Sequence, residues 1–245
     1  LVCGGRLTRA RACDAARGSI GPMSLDGEWP VFPLGAAFLP GDRVDLTFFE
    51  PRYLQMITAV LVGDGVFATV LISEGSEVGG RDRRFDHGTV VEVERAHDVG
   101  DRVVVQGRAT ACWRAVSWLP DDPFPRAIGS VRIADAVEGR ARFDVASALS
   151  LLAQSVVSLR VSLTGDREVA AEPGLSEIAA GRWWDDRVSS DDVWGRFWTV
   201  ARALPCGPLD RHSLLLDGDL ADRVRRLRSI VAHVGDLIRF RQDHP

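Results

Sequence analysis

The sequence predicts an α+β protein in two parts, a β-barrel or sandwich followed by a helical bundle, on three observations. Between Trp29 and about Val137, short apolar runs with strand-like alternation are broken by Gly and Pro turns. After Gly139 the apolar spacing changes to threes and fours, the mark of amphipathic helices. The first 22 residues, with Arg6, Arg9, Arg11 and Arg17 among small residues and almost no apolar period, read as unstructured. The expected division is 1–28 as an N-terminal extension, 29–139 as the β part, and 140–245 as the helical part with a loop over 164–190. Because Met23 opens a cleaner sequence, the extension reads as a start placed too early rather than a transit peptide.

The elements follow in order. WPVF is a first strand, Leu39 to Asp42 (LPGD) a turn, and Arg43 to Phe49 a strand whose Val44, Leu46 and Phe48 share one face. A helix runs from Glu50 to Leu61, with Pro51 in its first turn, Glu50 at its positive end, and Tyr53, Met56, Ile57 and Val60 on the buried side. Gly65 to Ile72 is apolar almost throughout, as a central strand would be. Strands over Gly88 to Ala96, Arg102 to Leu119 and Arg126 to Asp135 complete a set of short, evenly spaced strands that favours a barrel or sandwich.

In the second part, Leu149, Leu152, Val156, Leu159 and Leu163 form one helical stripe, and Leu220, Val224, Leu227, Val231, Val234 and Ile238 another. At about 1.5–3 kcal/mol per buried aliphatic side chain, exposing either stripe would forfeit on the order of 10 kcal/mol, so both are expected to pack. A third helix is expected from Asp191 to Leu204, closed by Pro205 and Gly207, with Trp194 and Trp198 one turn apart as core residues.

Composition narrows the function. The chain has a formal charge of −4, and all 30 of its basic residues are arginine. A phosphate-loop NTPase, a Schiff-base enzyme and a Ser-Lys hydrolase each need an amine that arginine cannot replace. An acidic balance gives little general attraction for nucleic acid. No apolar run of about 20 residues and no secretory signal is read from the sequence, so the expected place is the cytoplasm and no membrane partner is expected. Cys3, Cys13, Cys112 and Cys206 form no C-x-x-C pair and the five histidines are scattered, so neither a metal nor any other cofactor is expected. Asp86 and His87 lie near Ser73 and Ser76 in sequence, but no G-x-S-x-G elbow accompanies them, and no catalytic residue is assigned.

Six spaced landmarks carry a resemblance. FPLGAAFLPGDRVDLTFFEPRYLQMI (Phe32 to Ile57) resembles the opening of the Lon protease (peptidase S16) N-terminal domain, in which an F-P-L…P-G element precedes F-E-P-R-Y. FATVLI, GSEVGG (Gly75 to Gly80), HGTVVEV (His87 to Val93), Arg108 to Val131 with its DDPFPRA, and Ala203 to Leu227 follow in the family's order, covering about residues 30–238. His212 stands where the family commonly has Gln. The resemblance implies a PUA-like β pseudo-barrel followed by a helical bundle. It also implies a free-standing substrate-binding module without the ATPase and protease parts, and therefore not an enzyme. Its partners would be exposed or unfolded polypeptide segments, with a separate protease or chaperone as a further partner. The alternative from the same fold is a PUA-like module for nucleic acid or a small ligand, which the acidic balance and missing lysines disfavour.

The residues expected to meet a client are Phe48, Glu50, Arg52, Tyr53, Trp183 and Trp184. Glu50 and Arg52, flanking Pro51, would either hold a client's backbone or brace the helix start, and paired charges more often brace. Trp183 and Trp184, in a Gly/Pro-flanked stretch, would either anchor a client or fold back onto the barrel. Gly35, Gly41, Gly79, Gly80 and Gly88 are read as turn residues with positive φ.

Overall fold

In the computed structural model, residues 26–76, 82–132, 135–137, 139–165, 174–181 and 188–244 are described. The β part comprises β1 (Asp26–Leu34), β2 (Arg43–Phe48), β3 (Val66–Glu74), β4 (Arg83–Asp98), β5 (Val103–Trp118) and β6 (Arg126–Arg132), with helix α1 (Pro51–Val62) between β2 and β3. The helical part comprises α2 (Gly139–Thr164), α3 (Leu175–Ala179), α4 (Ser190–Ala203), α5 (Pro208–Ser213) and α6 (Leu220–Asp243). Strand β1 begins at Asp26, ahead of the WPVF run, because Asp26 to Pro30 pair antiparallel with β6. The stretch read as a loop contains the short helix α3, whose Leu175 and Ile178 are buried.

The six strands form a mixed sheet in the order β2-β5-β4-β3-β1-β6, and an extra β5–β6 pairing closes a ring of five. Strand β5 makes the closure. Its first half pairs with β2 and its second half with β6, while β4 lies along its other side. Five ring strands (β1, β3, β4, β5, β6) contribute Trp29, Val31, Ala68, Val70, Val90, Trp113, Ala115 and Ala127 to one buried cluster, so this cluster fills the ring. The opposite strand faces join β2 and α1 in a second cluster that holds Phe32, Phe48, Phe67 and Val91 with Tyr53, Met56, Ile57 and Val60. Strand β3 is apolar almost throughout because both of its faces are covered, Phe67 by α1 and Ala68 by the ring interior.

Helix α1 starts at Pro51, whose missing N–H costs nothing in a first turn, and it buries the four residues its periodicity marked. Ser189 and Asp192 form a capping box at the start of α4, and the Asp219 side chain accepts from Asp222 N at the start of α6. All six residues of the α6 stripe are buried. On α2, Leu149, Leu152 and Val156 are buried and Leu159 is packed against them, but Leu163 is 49% exposed because the neighbouring helices no longer cover the last turn. Residues 141–164 of α2 are long and apolar enough, by length and composition alone, to cross a membrane, contrary to the expectation from sequence. In the structure α2 packs against α3, α4 and α6, and Val145, Leu149, Leu152 and Val156 enter the shared helical core.

Two glycine assignments change. Gly41 has φ 93° as expected, but Gly88 lies within β4 and Gly35 is absent from the positive-φ glycines, so neither supplies such a turn. At Gly88 the requirement is space: a Cβ there would sit 1.9 Å from Thr69 O on β3. Gly79 and Gly80 lie outside the described residues.

Candidate functional site

Four of the residues singled out from sequence cluster at the start of α1. Phe48 and Tyr53 are 1% and 3% exposed, and both rings pack on Phe32, with centroids 4.7 and 4.6 Å away. Burial pushes the Tyr53 phenol up to about 12, so it stays protonated at any physiological pH. Arg52 Nε donates to Glu50 Oε2 at 3.1 Å, and the Arg52 guanidinium lies 4.3 Å from the Tyr53 ring centroid. These contacts brace the entry to α1, and a client could touch Phe48 or Tyr53 only by displacing them from the core. Trp183 and Trp184 lie outside the described residues.

A concave site lies elsewhere, at the seam between the barrel and the helices. The turn from Ala37 to Asp42 builds that seam. Leu39 is fully buried among the helical residues, the Arg202 Nη1 donates to Pro40 O at 2.7 Å, and the Arg211 Nε donates to Ala37 O at 2.8 Å while its Nη2 pairs with Asp42. On the far side, Asp217 in the α5–α6 connection accepts from Arg114 Nη1 at 2.7 Å and lies 3.3 Å from Arg132 Nε, which ties that connection to β5 and β6. His87 Nε2 is also 3.3 Å from Asp217, within ion-pair distance although it misses hydrogen-bond geometry. Burial tends to raise the Asp217 pKa, but His87, Arg132 and Arg114 outweigh it and the net shift is downward.

Between these two ties is a cavity of about 540 Å³, lined by Pro40, Thr110 to Cys112 and Arg132 from the barrel part and by Trp194, Gly195, Trp198 and Arg223 from the helices. Trp194 and Trp198, one turn apart on α4, stack with centroids 6.2 Å apart and planes at 26°. Arg223 lies 5.6 Å from each indole centroid. The two tryptophans therefore serve twice, in the helical core as expected and as the apolar wall of a cavity that the sequence did not disclose.

Arg223 is 5% exposed, and its Nη1 donates to Leu214 O and contacts Cys112 Sγ at 3.9 Å. Burial lowers the Arg223 pKa, yet an arginine remains charged in a protein interior. Burial also pushes the Cys112 thiol up, so it is neutral and gives no counter-charge. Sequence reasoning missed Arg223, but a signal was present: Arg223 falls inside the α6 apolar stripe, three residues after Leu220 and four before Leu227, where a charge is out of place.

A model of the ATP-dependent protease La (LON) substrate-binding domain matches residues 28–233. The chain belongs to this family. No ATPase or protease domain is detected within the 245 residues of this Lon substrate-binding domain. Its fold is similar to a crystal structure of a Lon N-terminal domain protein from Xanthomonas campestris, at 23% identity and TM-score 0.53, over 84% of this chain and 98% of that one. It is equally similar to the N-terminal domain of Mycobacterium avium complex Lon protease, at 15% identity, TM-score 0.53 and the same coverage. No curated protein sequence matches.

His212 is 5% exposed, packs at 4.2 Å on the Phe85 ring, and leaves Nε2 without a partner among the described residues. Burial, then the nearby His87, lowers its pKa from 6.5. Below 6.5 the unfolded chain therefore takes up a proton that the folded chain refuses, and stability falls with falling pH until the folded pKa is passed. The slope is at most about 1.4 kcal/mol per pH unit. Urea midpoints measured from about pH 8 to about pH 5 are expected to fall more steeply for the wild type than for His212→Gln; parallel slopes would assign the acid sensitivity to other groups.

Proposed function

We propose that this domain binds exposed or unfolded polypeptide segments without altering them covalently, as an adaptor or holdase in protein quality control. The supporting observation is the seam cavity, in which two stacked indoles and the barrel edge offer an apolar wall in a chain of the Lon substrate-binding family. Tryptophan walls give large contact area at small entropic cost, and apolar side chains of an extended segment are the natural guests. Affinity is expected to be modest, because a disordered client loses conformational freedom on capture.

The test compares one client protein in two states, native and permanently unfolded by reduction and alkylation. Titration calorimetry is expected to show binding of the unfolded form alone. Equal affinity for both states, or none for either, would remove the reading. Suppression of the client's aggregation at near-stoichiometric ratio and without nucleotide separates a holdase from an adaptor that only delivers.

A further inference from the structure

The seam cavity holds a buried charge with no carboxylate at ion-pair distance, the influence of Asp217 reaching it from farther away. Among the described residues no carboxylate forms an ion pair with Arg223, its Nε is buried without an acceptor, and no acceptor meets its Nη2. A guanidinium nitrogen without an acceptor can donate a charge-assisted hydrogen bond to a carboxylate. Leaving a buried donor such as Nε unsatisfied is costly, and native proteins seldom do so without a reason. The rest of the cavity restricts what the missing acceptor can be. Two indoles form its apolar wall, and Asp135 and Asp191 stand exposed among the lining residues, in no ion pair among the described residues. A highly charged anion such as phosphate would meet Arg223, an Arg132 already paired with Asp217, and the carboxylates of Asp135, Asp191 and Asp219, whereas a single carboxylate on an apolar body would meet Arg223 and the tryptophans.

We propose that the cavity binds a carboxylate carried on an apolar or aromatic body, with the Arg223 guanidinium holding the carboxylate and Trp194 and Trp198 flanking the body. Resting on the polypeptide-binding reading, the source is the free carboxyl terminus of a client chain. A volume of about 540 Å³ lies within the roughly 300–1,000 Å³ usual for ligand sites and suits a chain end rather than a long segment. The domain would then recognise where a polypeptide ends as well as its exposed apolar surface.

Two variants probe the site without dismantling it. Arg223→Met replaces the guanidinium with an apolar chain in a buried place, an exchange that often leaves stability intact or raises it. Gly195 lines the cavity, and a Cβ there would meet nothing within 4 Å, so the ring in Gly195→Phe has open space to enter while α4 loses a helix-weakening glycine. The whole chain is titrated by fluorescence anisotropy with an N-terminally labelled, unstructured peptide ending in phenylalanine, as the free acid and as the C-terminal amide. The acid is expected to bind at least about tenfold more tightly, the scale of a charge-assisted hydrogen-bonded pair. Arg223→Met should bring the acid to the level of the amide, Arg223→Lys should recover part of the preference, and Gly195→Phe should abolish it, each with a cooperative thermal transition.

N-acetylphenylalanine and inorganic phosphate serve as competitors. A chain end as the source predicts displacement by the former only at much higher concentration than the peptide acid, and none by phosphate. Tight binding of N-acetylphenylalanine with no binding of the peptide acid would keep the carboxylate site and overturn the chain end as its source. Equal affinity for acid and amide, or an acid preference that survives Arg223→Met, would overturn the proposal while leaving polypeptide binding standing. Failure of the unfolded client itself to bind is the separate result that removes the underlying reading.

Discussion

Gly88→Ala is expected to destabilise the domain by about 3 kcal/mol or more, at or beyond the upper end of ordinary overpacking. The added Cβ would lie 1.9 Å from Thr69 O and 2.8 Å from Val70 Cγ1, both on β3, the strand directly paired with β4. A backbone oxygen cannot rotate away as a long side chain can. Relief requires β3 and β4 to separate, in a stretch where Thr69 pairs with Thr89 and Val70 with Gly88, and the ring depends on that pairing. Gly27→Ala is the control, because it too lies in a ring strand but a Cβ there meets nothing within 4 Å. Urea unfolding should show a large drop in midpoint for Gly88→Ala and a change within about 0.5 kcal/mol for Gly27→Ala. Equal effects would mean that loss of glycine flexibility, rather than close approach of two strands, governs this part of the sheet.

The same position shows what the sequence could and could not disclose. A glycine in a G-T element between apolar runs is compatible with a turn or with a strand that another backbone approaches, and the string of residues carries no term for the neighbour 19 positions earlier. Periodicity, by contrast, is a local property. It located α1, α2, α4 and α6 and their buried faces, because a helix writes its environment into spacings of three and four. It failed at Leu163, where the stripe continues past the helices that cover it. The seam cavity was illegible for a related reason. Its walls come from Pro40, from Thr110 to Cys112, from Val131, Arg132 and Asp135, from Asp191 to Trp198 and from Asp217 to Arg223, five segments that meet only after the barrel and the helices have docked. Of its parts only Arg223 left a local trace, as a cation inside an apolar stripe.

Leu39→Ala is expected to cost about 2–5 kcal/mol, the range for truncating a fully buried leucine. The placement gives the loss a further consequence. Leu39 sits in the turn between β1 and β2, yet its side chain is fully buried in the helical core with Leu149, Phe197 and Leu204. It is the barrel's peg in the helices, and the bonds around it depend on the peg: Arg202 to Pro40 O, Arg211 to Ala37 O and to Asp42, and Gly41 N to Ala109 O at 2.7 Å. Removing it should loosen the dock as a unit, and because Pro40 and Trp198 line the seam cavity, peptide binding should weaken along with stability. Indole resonances provide separate reporters, with Trp29 and Trp113 inside the ring and Trp194 and Trp198 in the helical core. In the wild type all four are expected to titrate together in urea. In Leu39→Ala the midpoint falls and the two pairs separate. A midpoint within about 0.5 kcal/mol of the wild type would show that the ion pairs hold the dock without the leucine, the outcome least compatible with its complete burial.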